Sequence, residues 1–145
     1  MLIRKFQPDD MFAVIKIAYT TLPEQYNPVV FNHFYENFPD GFLVAEHQQH
    51  IIGFLVGIKT LGNIAKILMI SVEKQHRKKG IGGMLLTRFF QEIRPYHVEQ
   101  IDLEVRTINT VAISFYKNHG FSIIDTIPGF YQNDKDAYLM RRKIH

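Results

Sequence analysis

The spacing of apolar residues predicts an alternation of strands and helices along the chain. Short apolar or alternating runs predict strands over Leu2–Phe6, Phe42–Glu46, Ile51–Ile58, Ile64–Val72, Ile101–Arg106, Phe121–Ile127 and Ala137–Arg141. The Ile51–Ile58 run is apolar almost throughout, which is typical of a strand covered on both faces. In Ile101–Arg106 the alternation is strict and places Asp102, Glu104 and Arg106 on one polar face.

A period close to 3.6 residues predicts helices between these strands. The first opens at Pro8-Asp9-Asp10 and carries apolar residues at positions 11, 14, 15 and 18, and the second lies near Val29–Asn37. The third runs from Gly80 to about Arg94, with an apolar stripe at positions 81, 84, 85, 89 and 93, and Pro95 ends it. A fourth, short helix begins after an Asn109 cap and runs to His119.

The resulting order, β-α-α-β-β-β-α-β-α-β-β, predicts a single α/β domain over residues 1–145. Three strands in a row argue against a doubly wound parallel sheet, in which strands and helices alternate strictly. We therefore expect one mixed sheet with helices on both faces.

Composition narrows the class of protein. The chain has 145 residues, no cysteine and a formal net charge of +3. The lack of cysteine excludes disulfides, thiolate metal ligands and a cysteine nucleophile, and the charge is weak support for nucleic-acid binding. No apolar run reaches the roughly 18 residues that a membrane span needs, and no apolar core follows the charges of the first residues as in a signal peptide. We expect a cytoplasmic protein without a membrane partner.

A basic glycine turn carries the clearest chemical signal. The apolar run ending in Ile70-Ser71-Val72 is followed by Arg77-Lys78-Lys79-Gly80-Ile81-Gly82-Gly83, and the third helix begins there. The first amides of a helix have no partner within the helix, and the helix dipole is positive at this end. Together with the cationic side chains, they predict a site for a phosphate-bearing cofactor, although a solvated basic turn is the simpler alternative.

Three phosphate motifs compete for this turn. The nucleoside-triphosphate loop requires Gly-Lys-Ser/Thr, and here Met84 follows Gly83. The dinucleotide fingerprint requires a third glycine, and position 85 is leucine. The pattern Arg/Gln-x-x-Gly-x-Gly/Ala is met by Arg77, Gly80 and Gly82.

Two further blocks accompany that motif. The first is Leu103-Glu104-Val105-Arg106-x-x-Asn109-x-x-Ala112-x-x-x-Tyr116-x-x-x-Gly120-Phe121, and the second is Gly129-Phe130-Tyr131 with Asp136-Ala137-Tyr138-Leu139-Met140. In this order the three blocks resemble the GNAT superfamily of acetyl-CoA-dependent N-acetyltransferases. Within it the chain is most similar, from about Leu2 to Arg142, to protein N-terminal acetyltransferases of the ribosomal-protein-alanine and NatA catalytic-subunit types. The early Leu22-Pro23-Glu24-x-Tyr26 strengthens the latter comparison.

The resemblance implies the acyl-CoA N-acyltransferase fold, with a mostly antiparallel sheet, and it implies how acetyl-CoA binds. The strand ending in Val72 splays from its neighbour, and its free amides hold the pantetheine arm and the thioester oxygen. The glycine turn holds the pyrophosphate. The residues implied in cofactor binding are Ile70, Ser71, Val72, Arg77, Lys78, Lys79, Gly80, Ile81, Gly82, Gly83, Asn109 and Tyr116.

The resemblance also implies the catalytic groups. Tyr116 matches the general acid of the family, and a phenol can protonate a departing thiolate; the alternative is a tyrosine of the core. Glu104 and Glu24 are rival candidates for the base, with Glu104 slightly favoured, and a salt bridge to Arg106 or a neighbouring strand is the simpler alternative for Glu104. Ser71 and Ser114 lack a His–Asp pair, so we expect direct transfer in a ternary complex.

Acceptor binding is implied for Leu22, Pro23, Tyr26, Phe130 and Tyr131, whose simpler role would be loop packing. The expected acceptor is the N-terminal α-amine of a protein or peptide. The alternatives are transfer to a small amine or a lysine side chain, and a non-catalytic acetyl-CoA-binding module. No metal site is expected, since His76 and His119 have no further ligands at usable spacing. An auxiliary subunit and a homodimer both remain open.

Overall fold

The structure is a computed structural model that describes residues 1–24, 26–131 and 135–144. These residues form seven strands and four α-helices. The strands are β1 (Leu2–Lys5), β2 (Phe42–His47), β3 (His50–Lys59), β4 (Ile64–Val72), β5 (Gln100–Arg106), β6 (Ser122–Tyr131) and β7 (Lys135–Lys143). The helices are α1 (Met11–Thr21), α2 (Val29–Asn37), α3 (Ile81–Ile93) and α4 (Thr110–Asn118).

All seven strands belong to one sheet, in the order β1-β2-β3-β4-β5-β7-β6. Neighbouring strands are antiparallel, except that β4 and β5 run parallel. Helices cover both faces: α3 and α4 pack on one side and α1 and α2 on the other, each against its own buried cluster. The predicted mixed, mostly antiparallel sheet between two helical layers is confirmed.

The pairing of β4 with β5 is short. It joins only Ile64–Lys66 to Gln100–Asp102, and beyond these residues the two strands separate. A bulge at Leu68 contributes, because the register of β4 against β3 shifts between Ile67 and Met69. An extra residue bends a strand and increases its twist. The predicted splay next to the end of β4 is thus confirmed as an opening in the middle of the sheet.

Most predicted boundaries are confirmed to within one or two residues. Pro8–Asp10 is a 3-10 turn, so that α1 proper begins at Met11. Asn109 caps α4, since its side-chain oxygen accepts a hydrogen bond from the amide of Ala112 at 3.1 Å. Gly80 adopts φ +81° directly before α3, a left-handed conformation that glycine takes at little cost.

Two expectations, for Met84 and for residues 130 and 131, are wrong in detail. Met84 is 43% exposed and is not part of the buried stripe of α3, which consists of Ile81, Leu85, Leu86, Phe89 and Ile93. Asp102 lies on the polar face of β5 as expected, and there it is buried and pairs with Arg141 of β7 at 2.8 Å. Phe130 and Tyr131 belong to β6 rather than to a loop, although the pairing of β6 with β7 is irregular between Ile127 and Tyr131.

Within the described residues, no helix combines the length and the apolar character that crossing a membrane requires.

Candidate active site

A cavity of about 1340 Å³ opens where β4 and β5 separate. It is lined by every predicted site residue except Lys79: Leu22, Pro23, Glu24, Tyr26, Ile70, Ser71, Val72, Arg77, Lys78, Gly80, Ile81, Gly82, Gly83, Glu104, Asn109, Tyr116 and Tyr131. Phe130 lines it as well. Residues that are far apart in the sequence therefore meet around one space. We call the lining from residues 70–72 and 77–83 the glycine wall, and that from residues 22–24, 26, 130 and 131 the aromatic wall.

Backbone groups dominate the glycine wall. Residues 67–72 of β4 pair with β3 on one side only, because β5 has diverged. Amides and carbonyls alternate between the two sides of a strand, so those on the β5 side have no ladder partner. They face the opening and can bind an extended ligand, as an added strand would.

The glycine turn joins this strand to α3. The first intrahelical hydrogen bond runs from the amide of Met84 to the carbonyl of Gly80, at 3.0 Å, which leaves the amides of Ile81, Gly82 and Gly83 available. The Nε of Arg77 donates to the carbonyl of Val72 at 3.0 Å and fixes the turn on the end of β4. Lys78 and Lys79 are exposed cations beside these amides. The set suits a pyrophosphate group.

Two glycines of α3 also have a packing role that the sequence did not reveal. A Cβ at Gly82 would lie 3.0 Å from the ring of Phe115, and a Cβ at Gly83 would lie 2.9 Å from Nε2 of His119. Phe115 lies in α4, and His119 directly follows it. The start of α3 therefore depends on glycine for its contact with α4 as well as for ligand access.

Tyr116 lies between the two walls. Its side chain is buried, with the rings of Phe115 and Phe121 edge-on at 5.3 and 5.7 Å. Its hydroxyl makes no hydrogen bond to any residue that the structure describes. Burial, and to a smaller degree the nearby Tyr131, raises the pKa of Tyr116 well above the ordinary value for a phenol. The hydroxyl is therefore protonated at neutral pH and can donate a hydrogen bond.

Both carboxylates that line the cavity take part in ion pairs. Oε2 of Glu104 lies 2.7 Å from Nζ of Lys66, across the base of the split between β4 and β5. Oε1 of Glu24 lies 2.5 Å from Nε of Arg106. In each case the second carboxylate oxygen makes no hydrogen bond to the described part of the chain. The salt bridge expected as the alternative role of Glu104 exists, and its partner Lys66 lies on the neighbouring strand β4.

Aromatic and charged groups combine in the aromatic wall. The Arg106 guanidinium lies 5.0 Å from the centre of the Tyr131 ring. Burial raises the pKa of Tyr26, and the negative charge of Glu24 adds to the shift. Burial also raises the pKa of Tyr131, again with Glu24 contributing and with Arg106 opposing. All these hydroxyls are protonated at neutral pH, so the local charges come from Glu24, Glu104 and Arg106.

Several lining residues were not predicted. Arg106 had a signal in the sequence, since it follows Glu104 by two positions and so shares its face of β5. Thr21 had no such signal. Its hydroxyl donates its proton to the carbonyl of Ile17, at 2.6 Å. The buried Ser71 hydroxyl must therefore be the donor in its contact with Thr21 Oγ1, at 2.5 Å. Such a contact between the end of α1 and β4 has no local pattern.

Across the described ranges, no three histidine, aspartate or glutamate side chains come together as a metal site would need. His119 Nδ1 forms a hydrogen bond with the carbonyl of Phe115, at 2.8 Å, and His76 Nδ1 lies 3.4 Å from a carboxylate oxygen of Glu73.

Known proteins share the sequence pattern and the fold of this chain. Residues 10–121 match the model of the acetyltransferase (GNAT) family. An N-alpha-acetyltransferase of Saccharolobus solfataricus is 30% identical to this chain, over 98% of the chain and 92% of the relative. The crystal structure of Ard1 from Thermoplasma volcanium superposes with a TM-score of 0.95 and 35% identity, covering 99% of this chain and 97% of that one.

A second solved structure is that of Chaetomium thermophilum Naa20 in complex with a bisubstrate analogue. It has a TM-score of 0.88 and 28% identity, and the match covers 99% of this chain and 86% of that one. The family match covers well over half of the residues and includes the glycine turn, β5 and α4. The chain belongs to the acetyltransferase (GNAT) family.

Proposed function

We propose that this protein transfers an acetyl group from acetyl-CoA directly to the N-terminal α-amine of a protein or peptide. The observation that carries the proposal is the single cavity at the split between β4 and β5, since it brings a phosphate-binding turn, a free strand edge, a protonated tyrosine and two carboxylates together. The relatives named N-alpha-acetyltransferase support the choice of acceptor.

The glycine wall is assigned to the donor. The amides of Ile81, Gly82 and Gly83 would hold the pyrophosphate, with Arg77, Lys78 and Lys79 adding positive charge and Asn109 lining the same cavity. The unpaired backbone of Ile70–Val72 would bind the amides of the pantetheine arm and an oxygen that gains negative charge during the reaction. Acetyl-CoA supplies an acyl group activated as a thioester.

Tyr116 is assigned to the departing sulfur. Its raised pKa keeps the hydroxyl protonated, and the lack of a partner among the described residues leaves that proton available. The same shift makes the phenol a weaker acid than a thiol, whose ordinary pKa is about 8.5. We therefore assign Tyr116 to a hydrogen bond that stabilises the departing thiolate, which then takes up a proton equivalent to the one that the amine releases.

One of two carboxylates is assigned to the amine. Glu104 and Glu24 both line the cavity, and each has one oxygen without a partner in the described residues. The pKa of an α-amine is about 8, against about 10.4 for a lysine side chain. At neutral pH, deprotonating the α-amine therefore costs roughly 3 kcal/mol less than deprotonating a lysine. A modest base therefore suffices for α-amines. Leu22, Pro23, Tyr26, Phe130 and Tyr131 would hold the first residues of the acceptor.

Incubation with acetyl-CoA and peptides varied at their first two positions tests the proposal. Mass spectrometry of the products should place the acetyl group on the α-amine. Matched peptides with a formylated N-terminus and an internal lysine should remain unmodified, as should free polyamines. If only the blocked peptides or only the polyamines are acetylated, that result would contradict the choice of acceptor. Binding of acetyl-CoA without transfer to any amine would show a non-catalytic binding module instead.

A further inference from the structure

We infer that Arg106 is a positioning residue that fixes the aromatic wall, holding Glu24 and Tyr131 in place at the same time. The inference rests on the proposed function, because it assigns the aromatic wall to the acceptor. Arg106 is the last residue of β5, an interior strand of the sheet, and its side chain is 17% exposed. Its two partners lie in the connection between α1 and α2 and in the irregularly paired end of β6.

The first partner belongs to the connection between α1 and α2. Arg106 Nε lies 2.5 Å from Oε1 of Glu24, three residues after the end of α1. An N–H directed at a carboxylate is among the stronger hydrogen bonds, and the Glu24 side chain is only 21% exposed. The connection has a second attachment at its beginning, the Thr21–Ser71 hydroxyl pair, which ties it to β4. Arg106 thus supplies the attachment to β5.

The second partner is at the end of β6. The pairing between β6 and β7 is irregular from Ile127 to Tyr131, so the sheet alone does not determine where the Tyr131 ring lies. The guanidinium is within the range of a cation–π contact, at 5.0 Å from the ring centre. A planar guanidinium can direct an N–H at a carboxylate through its edge while its face contacts an aromatic ring. One side chain therefore joins both segments of the wall.

This arrangement predicts a division between the two substrates. Loss of the guanidinium should allow Glu24 and Tyr131 to move independently, and a displacement of about 1 Å in a positioning group can reduce a rate by about a hundredfold. The glycine wall contains neither partner of Arg106, so the binding of acetyl-CoA should change little. A residue that merely supported the sheet would affect both substrates together.

The test compares Arg106→Gln with Arg141→Gln. Arg141 is a matched control because it pairs with Asp102 on the same face of β5, at 2.8 Å, and does not line the cavity. For Arg106→Gln we expect peptide kcat/KM to fall by about tenfold to a hundredfold and the Kd of acetyl-CoA to change less than about twofold. Arg106→Lys, which keeps the charge without the planar fork, should recover part of the loss.

Hydrogen exchange supplies a readout that does not depend on activity. Arg106→Gln should accelerate exchange in residues 21–24 and in residues 127–131, and Arg141→Gln should accelerate it in neither segment. Suppose that the wild-type protein acetylates peptides. The inference is then overturned if Arg106→Gln weakens peptide and acetyl-CoA binding equally, or if it leaves hydrogen exchange unchanged in both segments. A wild-type protein that acetylates no α-amine would instead overturn the proposed function, and with it the reaction that Arg106 serves.

Discussion

The two walls of the cavity are built by different means. The glycine wall consists mainly of backbone amides from β4 and the start of α3, which the geometry of a strand and a helix already directs toward the opening. The aromatic wall consists of side chains from the α1–α2 connection and β6, which Arg106 of β5 joins by one ion pair and one cation–π contact. Substitutions should therefore disturb the glycine wall through shape, and the aromatic wall through charge.

The largest effect is expected at Tyr116, which belongs to neither wall. Tyr116→Phe keeps the ring among Phe115 and Phe121 and removes only the hydroxyl. Since one hydrogen-bond donor aimed at developing negative charge contributes about 10²- to 10³-fold, kcat should fall by about a hundredfold or more, while the Kd of acetyl-CoA stays nearly constant. Steady-state kinetics together with equilibrium dialysis would measure both. Unchanged kcat would leave Tyr116 with a role in packing alone.

The next effect separates the two carboxylates. The substitution that removes the base, either Glu104→Gln or Glu24→Gln, should lower kcat by about a hundredfold. It should also move the increase of kcat with pH toward higher pH. The other substitution should cost about tenfold or less and leave the pH profile in place. Both profiles are measured with one peptide at saturating acetyl-CoA. If neither substitution alters the profile, water takes the proton and the carboxylates act by charge.

A smaller effect tests the glycine wall. Gly82→Leu should raise the Kd of acetyl-CoA by more than about tenfold, because the new side chain must displace Phe115 or the ligand, whereas Lys78→Ala should raise it by about threefold or less. Isothermal titration would give both values, and equal effects would show that charge, and not backbone, dominates.

The cause can be resolved further with a second substitution. Phe115→Ala opens the space that a larger residue at 82 would need on α4. If crowding against Phe115 is responsible, the double variant should bind acetyl-CoA better than Gly82→Leu alone. If the side chain blocks the ligand itself, the double variant should bind no better.

The smallest effect on catalysis is expected at an ion pair outside the cavity. Asp10 pairs with Arg4 at 2.8 Å, where β1 leads into α1. Burial acts to raise the pKa of Asp10, but hydrogen bonds from Arg4 and from the amide of Gln7 outweigh it, so that the pKa is lowered. This stabilisation is therefore present above the unfolded-state pKa of about 3.9 and is lost as the pH falls through the folded value.

Asp10→Asn should accordingly reduce the free energy of unfolding by about 1–2 kcal/mol at pH 7, and by less near pH 3. Urea denaturation at the two pH values measures the difference. The kcat/KM for both substrates should remain within about twofold of the wild type. A loss of activity without a loss of stability would mean that the walls depend on the β1–α1 junction.

The residue pattern itself predicted the glycine wall, whereas only the resemblance to a family implied the aromatic wall, and the difference has a physical reason. Backbone sites need a strand end, glycines and a helix start in immediate succession, and all three are local patterns. The Glu24–Arg106 pair joins residues 82 positions apart, and the Thr21–Ser71 pair joins residues 50 positions apart. Which side chains face each other over such distances depends on the order of strands in the sheet.

Local patterns were also insufficient where tertiary packing decides. The sequence marked Gly82 and Gly83 as ligand-binding, but only the arrangement of α3 against α4 shows that Phe115 and His119 occupy the space beside them. Met84 has the spacing of a core residue and is nevertheless 43% exposed. Helical periodicity predicts which face is apolar, and not how far the neighbouring elements extend over it.

The early divergence of β4 from β5 has a consequence for the stability of the whole protein. A sheet normally has two edges, but a sheet that opens in the middle has two more, and their backbone groups must be solvated until something else binds them. A ligand that satisfies them binds the folded state alone, so its binding adds to the free energy of unfolding. At a hundred times its Kd the gain is about 2.7 kcal/mol, which would make thermal denaturation itself a sensor of acetyl-CoA.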